Sequence, residues 1–506
     1  MARDRGARRA RRAAEGLAQL PWHRLVNPFE PVRIISDDQV EAIHVASLRM
    51  LETVGMDVWS ARALDAFARA GATVDRAARR VRLDRGLVEP SVAKAPATFG
   101  LRARNPERDL EFGGRNLVTA LVGGPAFASD LERGRRAGTY RDMCDFAKLV
   151  HGINIIQLGD TAVEPTDLPP ETRYLDIYLA FFTLLDRAWT SWGMGAHQVE
   201  DAIAMMSIAL GVDRDALAVA PALITVINSN SPLRLDGPMG DGLIAMAEAG
   251  QPVIATPFTL AGAMSPVTLA GALAQQNAEA LAMVTLAQIV RPGAPMIYGG
   301  FTSNADMKTG APAFGTPEYV KGALATGQLA RRYRLPWRSS NVNASNLVDA
   351  QAAYESEMAV WGAVMGGANL IYQGAGWLEG GLTASFEKVI VDAEILQMMA
   401  EVLRPFPVDE ASLALDAVAE VGPGGHFFGA RHTIERYETA FYRPLLSDWR
   451  NYETWSEDGA RSATERAHRI WKALLESYEQ PPLDPAVKHE LEAYVAQRKT
   501  EIEKAG

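Results

Sequence analysis

Apolar and polar positions along this chain follow two alternating patterns. Continuous apolar runs recur at residues 118–122, 153–158, 188–192, 223–227, 252–255, 295–298, 337–340 and 369–373. Between and after them, residues 141–151, 171–186, 197–211, 238–249, 267–290, 317–333, 347–366 and 385–403 carry the apolar spacing of helices. Strands buried on both faces read as unbroken apolar runs. Eight of them alternating with eight helices predict a (β/α)8 TIM barrel over residues 119–403. A doubly wound open sheet is the competing architecture. It lacks its glycine-rich dinucleotide loop here, since Gly123-Gly124-Pro125 is too short to be one.

The flanks are patterned differently. Val40, Ile43, Ala46, Leu48, Leu51 and Val54 approximate one face of a helix that Gly55 stops, and a second helix, about 61–70, ends at Gly71. Residues 99–104 and 109–112 alternate as a hairpin does, so residues 36–118 predict an α+β extension. Residues 404–506 fall outside the repeat and predict a helical extension, entered through the loop Gly422-Pro-Gly-Gly-His-Phe-Phe-Gly429. Residues 1–35 are a basic tail and lead-in. Arg3, Arg5, Arg8, Arg9, Arg11 and Arg12 crowd its start with no apolar core behind them, which predicts a solvated disordered tail, not an export signal.

In barrel enzymes the chemistry sits just after each strand. Here those positions supply Gly123 and Gly124; Asp160; Trp192; Asn228; Phe258; Tyr298, Gly299, Gly300 and Phe301; Asn341 and Asn346; and Gln373, Gly374 and Trp377. The set is rich in aromatics, amides and glycines and poor in histidine and paired acids. No two histidines share a strand end, so a catalytic metal is not expected. No serine stands in a hydrolase motif, and no lysine lies within a strand. What remains suits a weakly hydrated cation, with Trp192, Phe258, Tyr298, Phe301 and Trp377 as a cation–π cage. Gly123, Gly124, Gly299, Gly300, Gln373 and Gly374 would leave room for a large planar cofactor. His426 and His432 are most simply structural.

Composition narrows the picture further. Apolar residues are 48% and charged residues 22% of 506, an ordinary globular balance. The net charge of −10 argues against nucleic acid as partner. The lone Cys144 excludes an intrachain disulfide, and no apolar run reaches membrane length. A cytoplasmic protein is expected.

Several separated stretches carry a resemblance: Asn304-Ala-Asp-Met-Lys-Thr-Gly-Ala-Pro-Ala-Phe-Gly-Thr-Pro-Glu318, Ala330-Arg-Arg-Tyr-Arg-Leu-Pro336 and Asp349-Ala-Gln-Ala-Ala-Tyr-Glu355. Ile43-His-Val-Ala-Ser47 with Met50-Leu-Glu-Thr-Val-Gly55, Gly425-His-Phe-Phe428 with His432-Thr433, and Trp455, Gly459 and Arg466-Ala467 add to it. They resemble the trimethylamine methyltransferase family. That resemblance implies a barrel that passes a methyl group to the Co(I) of a corrinoid (cobalamin) carried by a separate small protein. Archaeal members hold a pyrrolysine near the position of Asn346; here the residue is ordinary. Members without pyrrolysine include demethylases of glycine betaine, so the resemblance implies a quaternary amine substrate. A betaine carboxylate would need a donor, with His432, Arg338, Asn228 and Asn341 as candidates. A homo-oligomer is expected. The alternatives are a tertiary methylamine or methylated sulfur donor, or a non-catalytic methylamine-binding subunit.

Overall fold

The structure, a computed structural model, describes residues 17–505. The arginine-rich start of the tail lies outside the described residues. The centre of the molecule is a curled parallel sheet. Its strands are β1 (Asn116–Leu121), β2 (Thr190–Ser191), β3 (Ile224–Ser229), β4 (Val253–Ala261), β5 (Met296–Gly299), β6 (Phe301–Ala305), β7 (Trp337–Ser340) and β8 (Leu370–Ala375). Seven of them run in the order β1-β8-β7-β5-β4-β3-β2, all parallel, and β6 continues β5 alongside β4. Helices fill the crossovers: α1 (Tyr140–Gly152), α2 (Arg173–Leu184), α3 (Ala196–Leu210), α4 (Gly237–Glu248), α5 (Leu269–Val290), α6 (Pro317–Tyr333), α7 (Ala350–Met365) and α8 (Phe386–Val402). The helical spacing in the sequence thus meets a helix in every crossover.

The apolar run 153–158 does not form the expected strand. Only Leu158 and Gly159 make single parallel bridges, to Ala120 of β1 and to Trp189 just before β2. A buried guanidinium explains this. Arg187 donates from Nη1 to the carbonyls of Ile153 and Ile156 and from Nη2 to that of His151, and Thr119 Oγ1 donates to that of Ile155. Carbonyls held by side chains are not free for a ladder.

The sheet's amino end is closed by an apolar plug. Leu101, Ala103, Leu110 and Phe112, from the hairpin Thr98–Leu101 and Leu110–Gly113, pack against Val118, Leu158, Ile224, Ile254, Ile297 and Leu370. Before it, the helix Asp37–Thr53 begins with a reciprocal capping box between Ser36 and Gln39 and packs on α5. Beyond α8, the helix Ala463–Glu476 returns to pack on α8 and α1, and the helix Pro485–Ala505 packs on α2 and α3. No described helix is long and apolar enough to cross a membrane.

The carboxyl ends of the strands are held from the helix layer by buried carboxylates. Glu279 on α5 accepts from Ser229 Oγ, Ser231 Oγ, the Leu233 amide (2.9 Å) and Gln275 Nε2 (2.9 Å). Removing a buried acceptor strands its donors at a cost of about 1–3 kcal/mol each. Glu279→Ala is therefore expected to destabilise the protein by about 3 kcal/mol or more in urea unfolding. Lys308→Ala, on an exposed loop, is expected to stay within about 0.5 kcal/mol; equal midpoints for the two variants would refute the anchor.

Candidate functional site

On β3 and β4 burial falls along the inner face from amino to carboxyl end. On β3, Ile224 is fully buried, Val226 partly, and Asn228 exposed; on β4, Ile254 and Thr256 are buried and Phe258 only partly. Alternate residues share one face of a strand. The sheet's concave side is thus plugged below; above the plug lies a chamber that meets solvent at β3 and β4 and is enclosed along β5, β7 and β8.

Arg338 of β7 points into that chamber. It is 2% exposed, and its guanidinium lies 4.9 Å from the Phe301 ring centroid and 5.0 Å from that of Tyr372. Nε and Nη1 are enclosed with no hydrogen-bond partner, and no carboxylate pairs with it among the described residues. Burial draws its pKa down to about 10, which leaves it charged at neutral pH. A buried charge is ordinarily paired.

Around it stand Phe258, Phe301, Phe314 and Trp377. Phe301 lies 5.1 Å from Phe258, 5.5 Å from Phe314 and 6.0 Å from Trp377. Trp377 is fixed by its indole N–H, which donates to the Asn343 carbonyl at 3.1 Å. Of the five rings expected to form a cage, Phe258, Phe301 and Trp377 stand together, and Phe314 joins them. Tyr298 is not part of it. Its ring faces the helix layer, where its hydroxyl donates to Asn277 (2.8 Å) and the ring stacks on Tyr333. Trp192 stands apart from these rings, its indole N–H donating to Thr161 Oγ1 at 3.2 Å.

The glycines divide likewise. Gly124, at φ +94°, is exposed, with open space where a Cβ would stand. A Cβ at Gly299 would strike Thr256, one at Gly300 would strike Thr326 on α6, and one at Gly374 would meet the Ala120 carbonyl. These three are packing glycines and leave no room for a cofactor. Gly123 sits over the Asp160 carboxyl. Gln373 adopts φ +58° where the β8–β1 register shifts, and its amide clamps the Gly123 backbone, accepting from its N–H (2.7 Å) and donating to its carbonyl (3.2 Å). It is a bulge residue tying two strands together.

Of the amide and imidazole candidates, Asn341 donates to the Gly374 carbonyl (2.8 Å) while its Oδ1 is enclosed and unpartnered, and Asn228 lies open at the mouth. Asn346 is exposed on the loop after β7. His432 lies on the short helix Arg431–Arg436, with Nε2 enclosed and unpartnered, and no hydrogen bond joins it to the strand ends. The loop after β7 is anchored by Glu355, which accepts from the Ala344 and Ser345 amides at 2.9 and 3.0 Å. Behind it Lys388 donates to Ser356 Oγ (2.8 Å) and pairs with Asp392, whose other oxygen accepts from the Gly376 amide at 2.8 Å. Burial lowers the lysine's pKa and the aspartate counters it.

Below the mouth, Tyr372 donates its hydroxyl proton to Asp160. Burial pushes this carboxyl up to about 7, against the pull of bonds from Tyr372, the Thr161 amide and Thr190. The inventory of strand ends contains Asp160, but nothing in its sequence context signals that it is buried.

An acid-poor, aromatic chamber with one unpaired cation, set at the carboxyl ends of a parallel sheet, is an arrangement of the α/β enzyme class. The family model for trimethylamine methyltransferase (MTTB) matches residues 1–503. A glycine betaine methyltransferase of Desulfitobacterium hafniense strain Y51 is 38% identical over 471 residues, 93% of this chain and 98% of that one. A trimethylamine methyltransferase MttB of D. hafniense strain DSM 10664 / DCB-2 is 30% identical, covering 92% and 94%. The MttB1 of Methanosarcina mazei is 28% identical over 92% and 94%. Among solved structures, the monomethylamine methyltransferase MtmB of Methanosarcina barkeri matches with a TM-score of 0.49 and 9% identity, over 89% of this chain and 90% of that one. The chain belongs to the trimethylamine methyltransferase family, and it is a methyltransferase.

Asp160 makes a pH signature. The folded state keeps a proton up to about pH 7 that the unfolded chain releases near pH 4. Its contribution to stability therefore falls as pH rises from about 4 to about 7 and is level above. Asp160→Asn removes that fall. Urea unfolding of both proteins at intervals across this range is expected to show wild type losing a few kcal/mol relative to the variant; parallel curves would refute the buried, protonated acid.

Proposed function

We propose that this chain transfers a methyl group from a carboxylate-bearing quaternary amine, glycine betaine or a related betaine, to the Co(I) of a corrinoid protein. The carrying observation is Arg338, a buried guanidinium without a partner beside an aromatic wall. A betaine matches both halves of the chamber. Its carboxylate gives Arg338 the missing counter-charge as a charge-assisted, geometrically fork-like pair. Its trimethylammonium head meets Phe258, Phe301, Phe314 and Trp377 by cation–π attraction. Trimethylamine brings no carboxylate, and as an ammonium it would set a cation against a fixed cation. The relatives support the same choice, since the glycine betaine methyltransferase shares 38% identity and the D. hafniense trimethylamine methyltransferase 30%.

The reaction asks little acid–base work of the protein. The carbon–nitrogen bond breaks with its electron pair left on nitrogen, so the amine departs neutral and needs no proton to leave. The reduced corrinoid, carried by a small partner protein, supplies the nucleophile when bound. The mouth fits such a visitor at Gly124, Met194 and Asn228, which are open, and not at Gly299, Gly300 or Gly374, which are packed against neighbouring atoms. The chain's part is to orient the N-methyl toward the mouth, exclude water and hold the charge. We read the sheet as a closed (β/α)8 barrel, with Leu158 and Gly159 as the remnant of its second stave and residues 36–118 and 404–506 as its extensions. A reduced cobalt partner suits the cytoplasm.

Methylation of Co(I) cobalamin, followed by its visible spectrum with the purified chain, tests this. Glycine betaine or another betaine is expected to react, and choline and trimethylamine to be far slower. Arg338→Met is expected to lower kcat/KM for the betaine by about 10²-fold or more. Choline turning over as fast as every betaine, or Arg338→Met retaining full activity, would overturn the carboxylate anchor.

A further inference from the structure

Arg338 stands without a partner although a carboxyl lies one tyrosine ring away. Tyr372 of β8 is the separator. Its ring faces the guanidinium at 5.0 Å, and its hydroxyl donates to Asp160. The strand register produces this layering. It sets Arg338 beside Leu370 of the plug and Ser340 beside Tyr372, two residues further along the same face.

Asp160 is sealed in its place. It is 6% exposed, the Thr161 amide donates to its Oδ1 at 2.6 Å, and a Cβ on Gly123 would strike the carboxyl. Gln373, the residue after Tyr372, clamps that glycine by its backbone. The bonds that act on the carboxyl come from Tyr372, the Thr161 amide and Thr190, and none comes from a charged group. The titratable and charged groups facing it are therefore Tyr372 and, behind that ring, Arg338. Tyr319 of α6 is the further titratable group acting on the arginine. Burial raises the pKa of both tyrosines, which keeps them neutral.

We propose that Asp160 is a positioning residue for the substrate carboxylate. As the neutral acid it holds Tyr372 against Arg338 and leaves the charge of the guanidinium to the ligand. As the carboxylate it competes with the ligand for that charge and weakens betaine binding. This deepens the betaine reading and rests on it. Burial brings the Asp160 carboxyl to about 7, so both forms are reached near neutrality. A betaine does not titrate there, since its carboxylate is ionised above about pH 4 and its quaternary nitrogen carries no proton. A ligand preferred by the neutral acid also draws a proton onto it, by reciprocity of linked equilibria. At an effective dielectric of about 20, charges one ring apart change a dissociation constant by about 10-fold.

Isothermal titration of the full chain with glycine betaine, or with the betaine that reacts fastest if another is preferred, tests this between about pH 5.5 and about pH 9. Two buffers of different ionisation enthalpy report proton uptake. The wild-type Kd is expected to rise about 10-fold as Asp160 ionises, with fractional proton uptake on binding near and above neutrality. Asp160→Asn keeps an acceptor for Tyr372 and cannot ionise, so a level Kd and no uptake are expected. Tyr372→Phe removes a bond that favours the charged carboxylate, so its rise is expected at higher pH than in wild type. A wild-type Kd that is level in pH, or a rise that Asp160→Asn retains, overturns the positioning role; methylation of Co(I) cobalamin by the betaine in that same preparation leaves the proposed function standing. A chain that neither binds nor demethylates any betaine removes both.

Discussion

One unneutralised charge governs the chamber. Taking a guanidinium out of water is costly, and a pairing carboxylate is the usual remedy. Arg338 has none; it has ring faces, from Phe301 and Tyr372, that hold it by their quadrupoles. The surroundings follow from that. Acids are kept away from it, and Asp160, the carboxyl bound to Tyr372, is raised toward neutrality. On the proposed function, an unpaired cation beside an aromatic wall suits a ligand with charges of both signs, neutral overall and polar at each end. The same wall that tolerates the arginine also welcomes an ammonium head.

The chamber keeps its shape because its loops are fastened from outside. Glu279 holds the loop after β3, Glu355 the loop after β7, and Asp392, braced by Lys388, the turn after β8. Each carboxylate accepts backbone N–H groups, so it fixes the course of the chain directly. The packing glycines do the complementary work. Where Gly299 stands two neighbouring strands, and where Gly300 stands strand and helix, approach too closely for any side chain.

Much of the fold was legible because its signal is repetitive. Continuous apolar runs and helical spacing mark a crossover at every turn of the sheet, and the run at 337–340 became β7 with those bounds. The run at 153–158 misled because an apolar pattern does not reveal a distant guanidinium competing for its carbonyls. The site was harder to read. Phe258, Phe301 and Trp377 fell together as their places after the strands suggested, but Tyr298 sits at the end of a strand where one residue's step reverses the face. Arg338 was visible as a charge inside an apolar strand. Its lack of a partner is a property of the whole interior that no local pattern encodes.

The outside fastening of the mouth has an evolutionary reading. Because helix side chains share with the backbone the work of holding the loops, exposed tips such as Asn228 and Asn346 are free to vary one at a time. A lineage can exchange the chamber's single charge, or a ring of its wall, without loosening the frame. Related chains could then diverge in the methylated nitrogen compound they accept while the supporting carboxylates stay in place.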